Sequence, residues 1–518
     1  MTKGIIMTRF ASLASTSALA LCLGAGAAQA DITAQEVWTD LQAYMTGFGY
    51  DITATTAQSG DTLNVTDLTM SMEIPDAEGT VIIRMGDLAL VDRGDGTVSL
   101  SIPASWPLEF DVAIAGEDPV SGRLSYLSEG METVISGSPG DTQTTVGADS
   151  ITVQLDEVTA EGETFGSDVF RVVIGMDDVA GTGTMKVGEL REFDQSGSVA
   201  QVTYDIDVQP PEEEEDRLVL TGTLDNLAFA ATGAIPQNTD MADMGAAVEA
   251  GFAVDASYSY GPTQAQFSFN DNGDTVNGTA GAATGSFAMM MNGDRLSYEA
   301  GGTDAKIDLT GSQLPFPVSL AMAETGFKLS VPVQPTDDPQ DFELDVTLGG
   351  FQMSDMIWSL FDMQGVLPRD PATIDIDLSG QARLFMNLFK IEDEMSGMGM
   401  GQAPAMPGEL HQVTLDGLLV EAAGARLTGE GSFAIDNTDM ETFDGMPRPE
   451  GELNLTLRGA NALMDNLVQM GLLPQEQAMG ARMMMGMFAV PGDGEDTLKS
   501  TIEVNEQGHV LANGQRLR

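Results

Sequence analysis

The chain has 518 residues, 42% of them apolar, and sets 79 acidic against 22 basic residues for a formal net charge of −57. That balance excludes nucleic acid as a partner, because binding it requires Lys and Arg to neutralise phosphates, and it disfavours adhesion to an anionic membrane. The apolar fraction excludes an acidic disordered tail, and the length suits two to four domains or one elongated assembly.

Residues 1–30 read as a cleaved signal peptide. Arg9 supplies the positive start, Leu13 to Leu23 the apolar stretch, and Ala28-Gln29-Ala30 the small-residue cleavage site. The stretch is short of the ~20 apolar residues a spanning helix needs. Cleavage after Ala30 is therefore expected, leaving a periplasmic chain with no integral membrane span. Cys22, the single cysteine, lies inside this leader, and Leu21 before it does not suit lipid attachment. The mature chain relies on its own packing without disulfides. Loss of Lys3 and Arg9 takes its formal charge to −59.

Residues 31–209 read as an N-terminal helix followed by a β-meander. Thr33-Ala34-Gln35-Glu36 is a capping box, and Val37, Trp38, Leu41, Met45 and Phe48 follow at near-helical spacing until Gly47 and Gly49. Trp38 is expected to plug the end of a sheet. Leu63, Val65, Leu68, Met70 and Met72 then alternate after one slip, and further alternating runs follow at Val81–Met85, Val98–Ile102, Ile151–Leu155, Val169–Ile174 and Val202–Val208. The acidic run from Pro210 to Asp216 reads as a solvated loop or a boundary, since contiguous carboxylates offer a metal no defined geometry.

Residues 218–390 read as a central meander of short strands, broken by an Ala-rich helix or loop between Met241 and Gly251. It ends in a helix from Met353 to Phe361 and a Pro-locked strand. In LPRDPATIDIDLSG, Pro368 and Pro371 push the residues before them to extended backbone, so the helix stops and a strand starts at Thr373 without a floppy hinge. Residues 391–408 form a Met/Gly-rich linker. Residues 409–518 read as a β/α tail. It has two hairpin-like strand pairs, around His411–Glu421 and Arg426–Ile435, a strand at Leu453–Leu457, and helices at Ala462–Met470 and Gln475–Phe488. A last strand pair lies at Thr501–Val504 and Val510–Leu511, before a tight turn at Asn513-Gly514.

Reactive chemistry is sparse. His411 and His509 are the only histidines, no GxSxG elbow accompanies them, and no HExxH, P-loop or dinucleotide fingerprint is present. Abundant carboxylates place some pair at glycosidase separation by chance. Asp271-Asn272-Gly273-Asp274 offers oxygen ligands but lacks the twelve-residue spacing of a calcium loop. Met395, Met398, Met400 and Met406, and Met483, Met484, Met485 and Met487, carry the soft sulfurs that Cu(I) accepts, but Met is equally an adaptable apolar surface. No catalytic, cofactor-binding or metal residue is assigned, and no enzyme activity is expected.

LPRDPATIDIDLSG behind the helical MIWSLFDMQG resembles domain-of-unknown-function family 2125 (DUF2125) of alphaproteobacterial exported proteins, and Ala30–Trp38 fits that family's mature start. The tail, from Leu415-Asp416-Gly417 through the Asn461–Gly471 helix to Gly508–Gly514, is more loosely similar to AsmA-like envelope proteins. That second resemblance implies long β-grooves and effects on outer-membrane lipid, although this chain lacks a retained anchor. Neither family has catalytic residues to carry over.

The expected fold is mainly β: elongated, twisted antiparallel β-sheets, groove- or sandwich-like, with short capping helices. The expected function is a non-enzymatic envelope protein that binds a lipid or another amphiphile in an apolar β-groove. The alternative is a structural or protein-partner-binding factor with no small ligand, whose strand faces bury one another. A dry sandwich gap of about 10 Å or an open slot separates the two. An outer-membrane barrel is disfavoured by the acidic runs, the interleaved helices and the non-aromatic C-terminus at Arg518.

Overall fold

The computed structural model describes residues 31–47, 49–74, 79–210, 216–237, 239, 243–390 and 407–518. The expected leader with Cys22, the acidic run at 211–215 and the linker methionines between 391 and 406 lie outside the described residues.

The chain opens with helix α1 (Ala34–Gly47). Its capping box forms as expected: the Thr33 hydroxyl accepts from the Glu36 amide at 3.4 Å, and the Glu36 carboxylate accepts from the Thr33 amide at 2.9 Å. Trp38 is buried with Val37, Leu63, Val65, Leu90 and Val98, so the helix closes one end of the sheet.

Every strand pairing is antiparallel, and the order is simpler than the number of strands suggests. β1 (Asp51–Ser59) pairs with β2 (Thr62–Ile74). β3 (Gly79–Met85) and β4 (Leu88–Asp92) then pair with the two halves of β2, so they are one strand interrupted at residues 86–87. β5 (Val98–Ser101) with β6 (Ser105–Ile114) makes the next interrupted strand, and β7 (Val120–Glu129) with β8 (Glu132–Ser138) the one after. β9 (Asp141–Ala160) spans both of the latter, with the short β10 (Glu163–Gly166) at its tip.

β11 (Phe170–Val187) lies alongside β9, where the Val187 amide donates to Gly140 O at 2.7 Å, and it continues the sheet into β12 (Leu190–Val208) and β13 (Arg217–Pro236). The turn into the next strand holds helix α2 (Met244–Glu249). β14 (Ala253–Tyr260) and β15 (Thr263–Asp271) then share β13 end to end. β16 (Asp274–Ala282) and β17 (Thr284–Met291) share β18 (Arg295–Gly311) in the same way. The expected short strands of this region are thus halves of long ones: residues 261–262 and 283 interrupt a strand but do not reverse the chain.

β19 (Val318–Pro332) and β20 (Gln340–Met353) lead to helix α3 (Asp355–Phe361) and β21 (Ala372–Leu384). β22 (Gly408–Ala422) and β23 (Ala425–Asp436) are single long strands that form one hairpin, in place of the hairpin-like pair expected in each segment, and β24 (Arg448–Arg458) follows. Helices α4 (Ala460–Gln469) and α5 (Gln475–Phe488) precede β25 (Val490–Pro491), β26 (Thr497–Val504), β27 (Val510–Ala512) and β28 (Gln515–Arg516). The result is mainly β, one large antiparallel sheet with a few short helices. At 20 residues, β9 and β13 run about 65 Å.

One line of irregular residues crosses the long strands at mid-length. Asp178 and Ala200 fall between the pairs Asp177↔Gln201 and Val179↔Val199. Asn226 faces Ala200 on the other side, Asp304 lies between Thr303↔Glu324 and Ala305↔Met322, and Gly350 lies between paired segments of β19 and β20. Asp178, Asn226, Asp304 and Gly350 have φ of 50°, 53°, 52° and 67°, and Asp67 in β2 has 54°. At each crossing the apolar positions change parity. β13 carries Leu218, Leu220, Gly222 and Leu224, then Leu227, Phe229 and Ala231; β12 carries Phe193 and Val199, then Val202, Tyr204 and Ile206. The register is the same on both sides of the line in β11–β13 and β18–β20, so these are not inserted residues, and because the whole row switches together, the apolar side stays on one face of the sheet.

Candidate functional site

Strand residues alternate between faces, and directly opposed residues share a face. Following one ladder row from β13 gives Phe229, Tyr258, Phe287, Ala300, Phe327, Val346, Ile376 and Leu418. The next row on that face runs Ala231, Ala256, Met289, Tyr298, Leu329, Leu344, Leu378 and Leu415. The opposite face carries Ser259, Ser286, Glu299, Lys328, Asp345 and Asp377. One sheet therefore has an apolar side and an acidic side.

The N-terminal end of the apolar side is covered. Arg191 lies 5.3 Å from the ring centroid of Tyr44 in α1, and it shares its face with Phe193. Burial pulls the Arg191 guanidinium below its ordinary value while Asp40 of the same helix pushes it back up. Farther along, the face is open: Phe229, Tyr258 and Phe327 are 36%, 46% and 41% exposed.

The aromatic rings of this face lie down on it. Phe229 opposes Gly197, Phe193 opposes Gly233, Phe267 opposes Gly278 and Phe342 opposes Gly380. A Cβ on Gly197 or Gly278 would sit 2.5 Å from the opposing ring, and one on Gly233 2.7 Å away. Tyr204 covers Gly222 and Tyr260 covers Gly285 in the same manner. Covering a strand glycine with a cross-strand ring restores the packing the glycine lacks. It also paves the surface with flat apolar rings. Tyr258 and Phe287 stack at 5.5 Å within this floor. No periodicity argument finds these pairs, because they depend on register.

The recesses lie on the other face. A shallow one of about 680 Å³ is floored by Ser259, Ser286, Gly301, Gly326 and Thr347 and edged by Glu299, Lys328 and Asp345. A smaller one of about 300 Å³ adjoins it beside Ala228 and Ala230. Lys328 there is engaged by Glu343 at 2.5 Å, and that hydrogen bond, with neighbouring acids, holds its ammonium above the usual range. Asp377 has its carboxyl pushed up, first by loss of solvent and then by the opposed Asp345 and by Asp416 and Asp375.

The residues weighed for chemistry are dispersed. His411 Nε2 lies 3.0 Å from Glu409, which also takes Arg383 at 2.6 Å; His509 lies on the separate β26–β27 connection. Asp271–Asp274 is a hairpin turn with Asn272 and Gly273 at φ 50° and 90°. Its oxygens are in use: Asp271 accepts from the Asn272 side chain at 2.9 Å, and Asp274 from Gln313 at 2.7 Å. Among the described residues no group of three or more His, Cys, Asp or Glu is placed to hold a metal. Likewise no helix is long and apolar enough to cross a membrane.

The Pro-locked segment is a built corner. Asp362, almost fully buried, accepts from the amides of Val366 at 2.8 Å and Leu367 at 3.0 Å. Those bonds hold its carboxyl below the usual range against partial desolvation. The segment then turns into β21 with Pro368 against Gly424 of the β22–β23 turn. The stiffness sets an angle between a helix and a strand.

No curated protein and no solved structure matches the chain. A family model described as "Uncharacterized protein conserved in bacteria (DUF2125)" matches residues 236–514. The match takes in the LPRDPAT corner, most of the larger recess and the apolar rows from Ala256 onward, while Phe229, the Ala228–Ala230 side of the smaller recess and the Ala30–Trp38 stretch lie outside it. It covers more than half of the sequence, and the chain belongs to the DUF2125 family.

Proposed function

We propose that this is a non-enzymatic periplasmic envelope protein that holds a lipid or another amphiphile against the apolar face of its sheet. The observation that supports this reading most is the row Phe229–Tyr258–Phe287–Ala300–Phe327, continuous over neighbouring strands, with Phe229, Tyr258 and Phe327 exposed and Phe287 half-buried, and backed by an acidic face. Leaving such a surface in water costs about 25 cal/mol per Å², and exposed apolar areas of this kind mark interaction sites. Flat rings and thioethers fit acyl chains of variable shape without polar orientation. The acidic reverse side keeps the other face solvated, so the sheet presents one side only.

Native mass spectrometry of protein taken from periplasm, with organic extraction, tests this reading. A stoichiometric amphiphile that is lost in Phe287→Glu is the expected result. A clean apo mass overturns it. A partner-binding scaffold is the second reading, and the outer edge of β1, which pairs only with β2 among the described residues, favours it.

A further inference from the structure

Helices α3 and α5 turn their apolar sides outward. On α3, Met356 and Leu360 are 50% and 65% exposed, and Met363, just past the end of the helix, is 87% exposed. On α5, Met479, Met483 and Met487 repeat every four residues at 61%, 69% and 54%, with Met484 beside them; Ala478 is its only buried residue. A globular helix normally buries this stripe.

Both helices occupy the same end of the sheet. α3 joins the end of β20 to the start of β21, and α4–α5 joins the end of β24 to β26. The pairs Thr373↔Glu421, Arg426↔Glu421, Arg426↔Arg458 and Arg458↔Thr497 align those strand ends. Pro368, Gly424 and Gly459 touch in series between them.

Two features identify what this rim meets. The first is charge. In a chain of net charge −57, residues 471–492 carry only Glu476 and Arg482, and Arg482 is taken up by Asp465 at 2.6 Å. On α3, Arg369 pairs with Asp355, and Asp362 is buried. The rest of so acidic a chain is repelled by anionic lipid headgroups, whereas the stretch that carries the α5 stripe has no net charge and keeps its acids, Asp370, Asp493 and Glu495, to the flanks of the rim. The second is continuity. The last apolar row before the rim is Leu348, Ile374, Val420, Leu427, Leu457 and Leu498, with no polar residue among them. An acyl chain leaving a bilayer at the rim therefore meets the apolar face directly.

We infer that α3 and α5 dock the protein on a zwitterionic lipid bilayer, with the Met stripes seated at the headgroup–acyl boundary. Shallow insertion of an amphipathic helix follows buried apolar area and is sensitive to lipid composition. The use of the docked state, loading the sheet, rests on the function proposed above; the docking itself does not.

The test is co-flotation of the full chain with phosphatidylcholine/phosphatidylethanolamine vesicles, with and without phosphatidylglycerol. Wild type is expected to float with the zwitterionic vesicles and progressively less as the anionic fraction rises. The exposed double substitution Met483→Glu/Met484→Glu is expected to lower flotation at least fivefold while leaving the thermal midpoint unchanged. Wild type that fails to float, or a double variant that floats equally, overturns docking. So does a dimer in light scattering that Met483→Glu dissociates, since a second copy would then cover the stripe. Flotation that depends on the patch in a protein with no co-purified amphiphile leaves docking standing and removes the sheet reading.

Discussion

Arg369 lies over the indole of Trp358, 5.8 Å from the ring centroid, while its guanidinium pairs with Asp355 on the same helix. One side chain therefore clasps α3 to the segment that starts β21. Arg369→Ala should lower stability by about 1 kcal/mol, combining an exposed cation–π contact with a surface ion pair. Arg369→Lys should recover only part of that, because an ammonium lacks the planar stacking. Urea midpoints read both variants.

Pro371→Ala, two residues on, should cost about 0.5–3 kcal/mol through backbone effects and leave the identity of any bound amphiphile unchanged. Denaturation and extraction on the same sample check this. A variant that folds normally yet loses its ligand would make the corner a binding element and not an architectural one.

Phe229 rests on Gly197 with its outer side in solvent. Truncating a ring in a closed core costs about 3–5 kcal/mol, whereas a cross-strand pair on an open face contributes about 0.2–1 kcal/mol. Phe229→Ala should therefore fall near 1 kcal/mol by chemical denaturation. A loss of several kcal/mol would mean that something closes over this face in solution.

Asn226 sits in the line of irregular residues with φ 53°. Left-handed backbone costs an ordinary L-residue about 1–2 kcal/mol, and a branched Cβ is the worst occupant. Asn226→Val should destabilise by that amount, and Asn226→Gly should change stability by no more than a few tenths. If both are neutral by guanidinium midpoint, the change of parity does not need its left-handed residue.

That line was half legible in the sequence. The slip between Val65 and Leu68 is visible as a broken alternation, and the structure puts Asp67 there at φ 54°. The same slip recurs in β11, β12 and β13, but Gly261-Pro262 has the composition of a chain reversal, so two halves of one strand read as two strands. What separates these outcomes is pairing: both halves lie against β13, which no local pattern reveals. The capping box at Thr33 and the helix Gln475–Phe488 were legible because they depend on neighbours in sequence. The outward direction of the α5 stripe was not, since periodicity locates a stripe without saying what faces it. The ring-on-glycine floor was also hidden, because Phe229 and Gly197 are 32 positions apart and meet through register alone.

Asp377 and Asp436 should respond to acid with opposite sign. Asp377 faces Asp345 across the ladder, and its carboxyl is pushed up by loss of solvent and then by that neighbour. A raised folded value favours the protonated state, so the pair is least comfortable at neutral pH and is relieved as pH falls through that value. Asp377→Asn should therefore stabilise at pH 7 by about 0.2–1 kcal/mol, the scale of a like-charged cross-strand pair, with the gain vanishing in acid. Asp436 is held at about 2 by hydrogen bonds from the Thr438 hydroxyl and amide and then from Arg448, whose guanidinium also reaches Asp439 and Glu450. A depressed value stabilises above the unfolded range and is lost as pH falls toward 2. Hydrogen exchange across residues 436–450 should thus accelerate between about pH 4 and pH 2 in wild type, while Asp436→Asn should already exchange faster at pH 7 and converge with wild type in acid. Unchanged exchange in Asp436→Asn at pH 7 would show that Asp439 and Glu450 hold Arg448 without it.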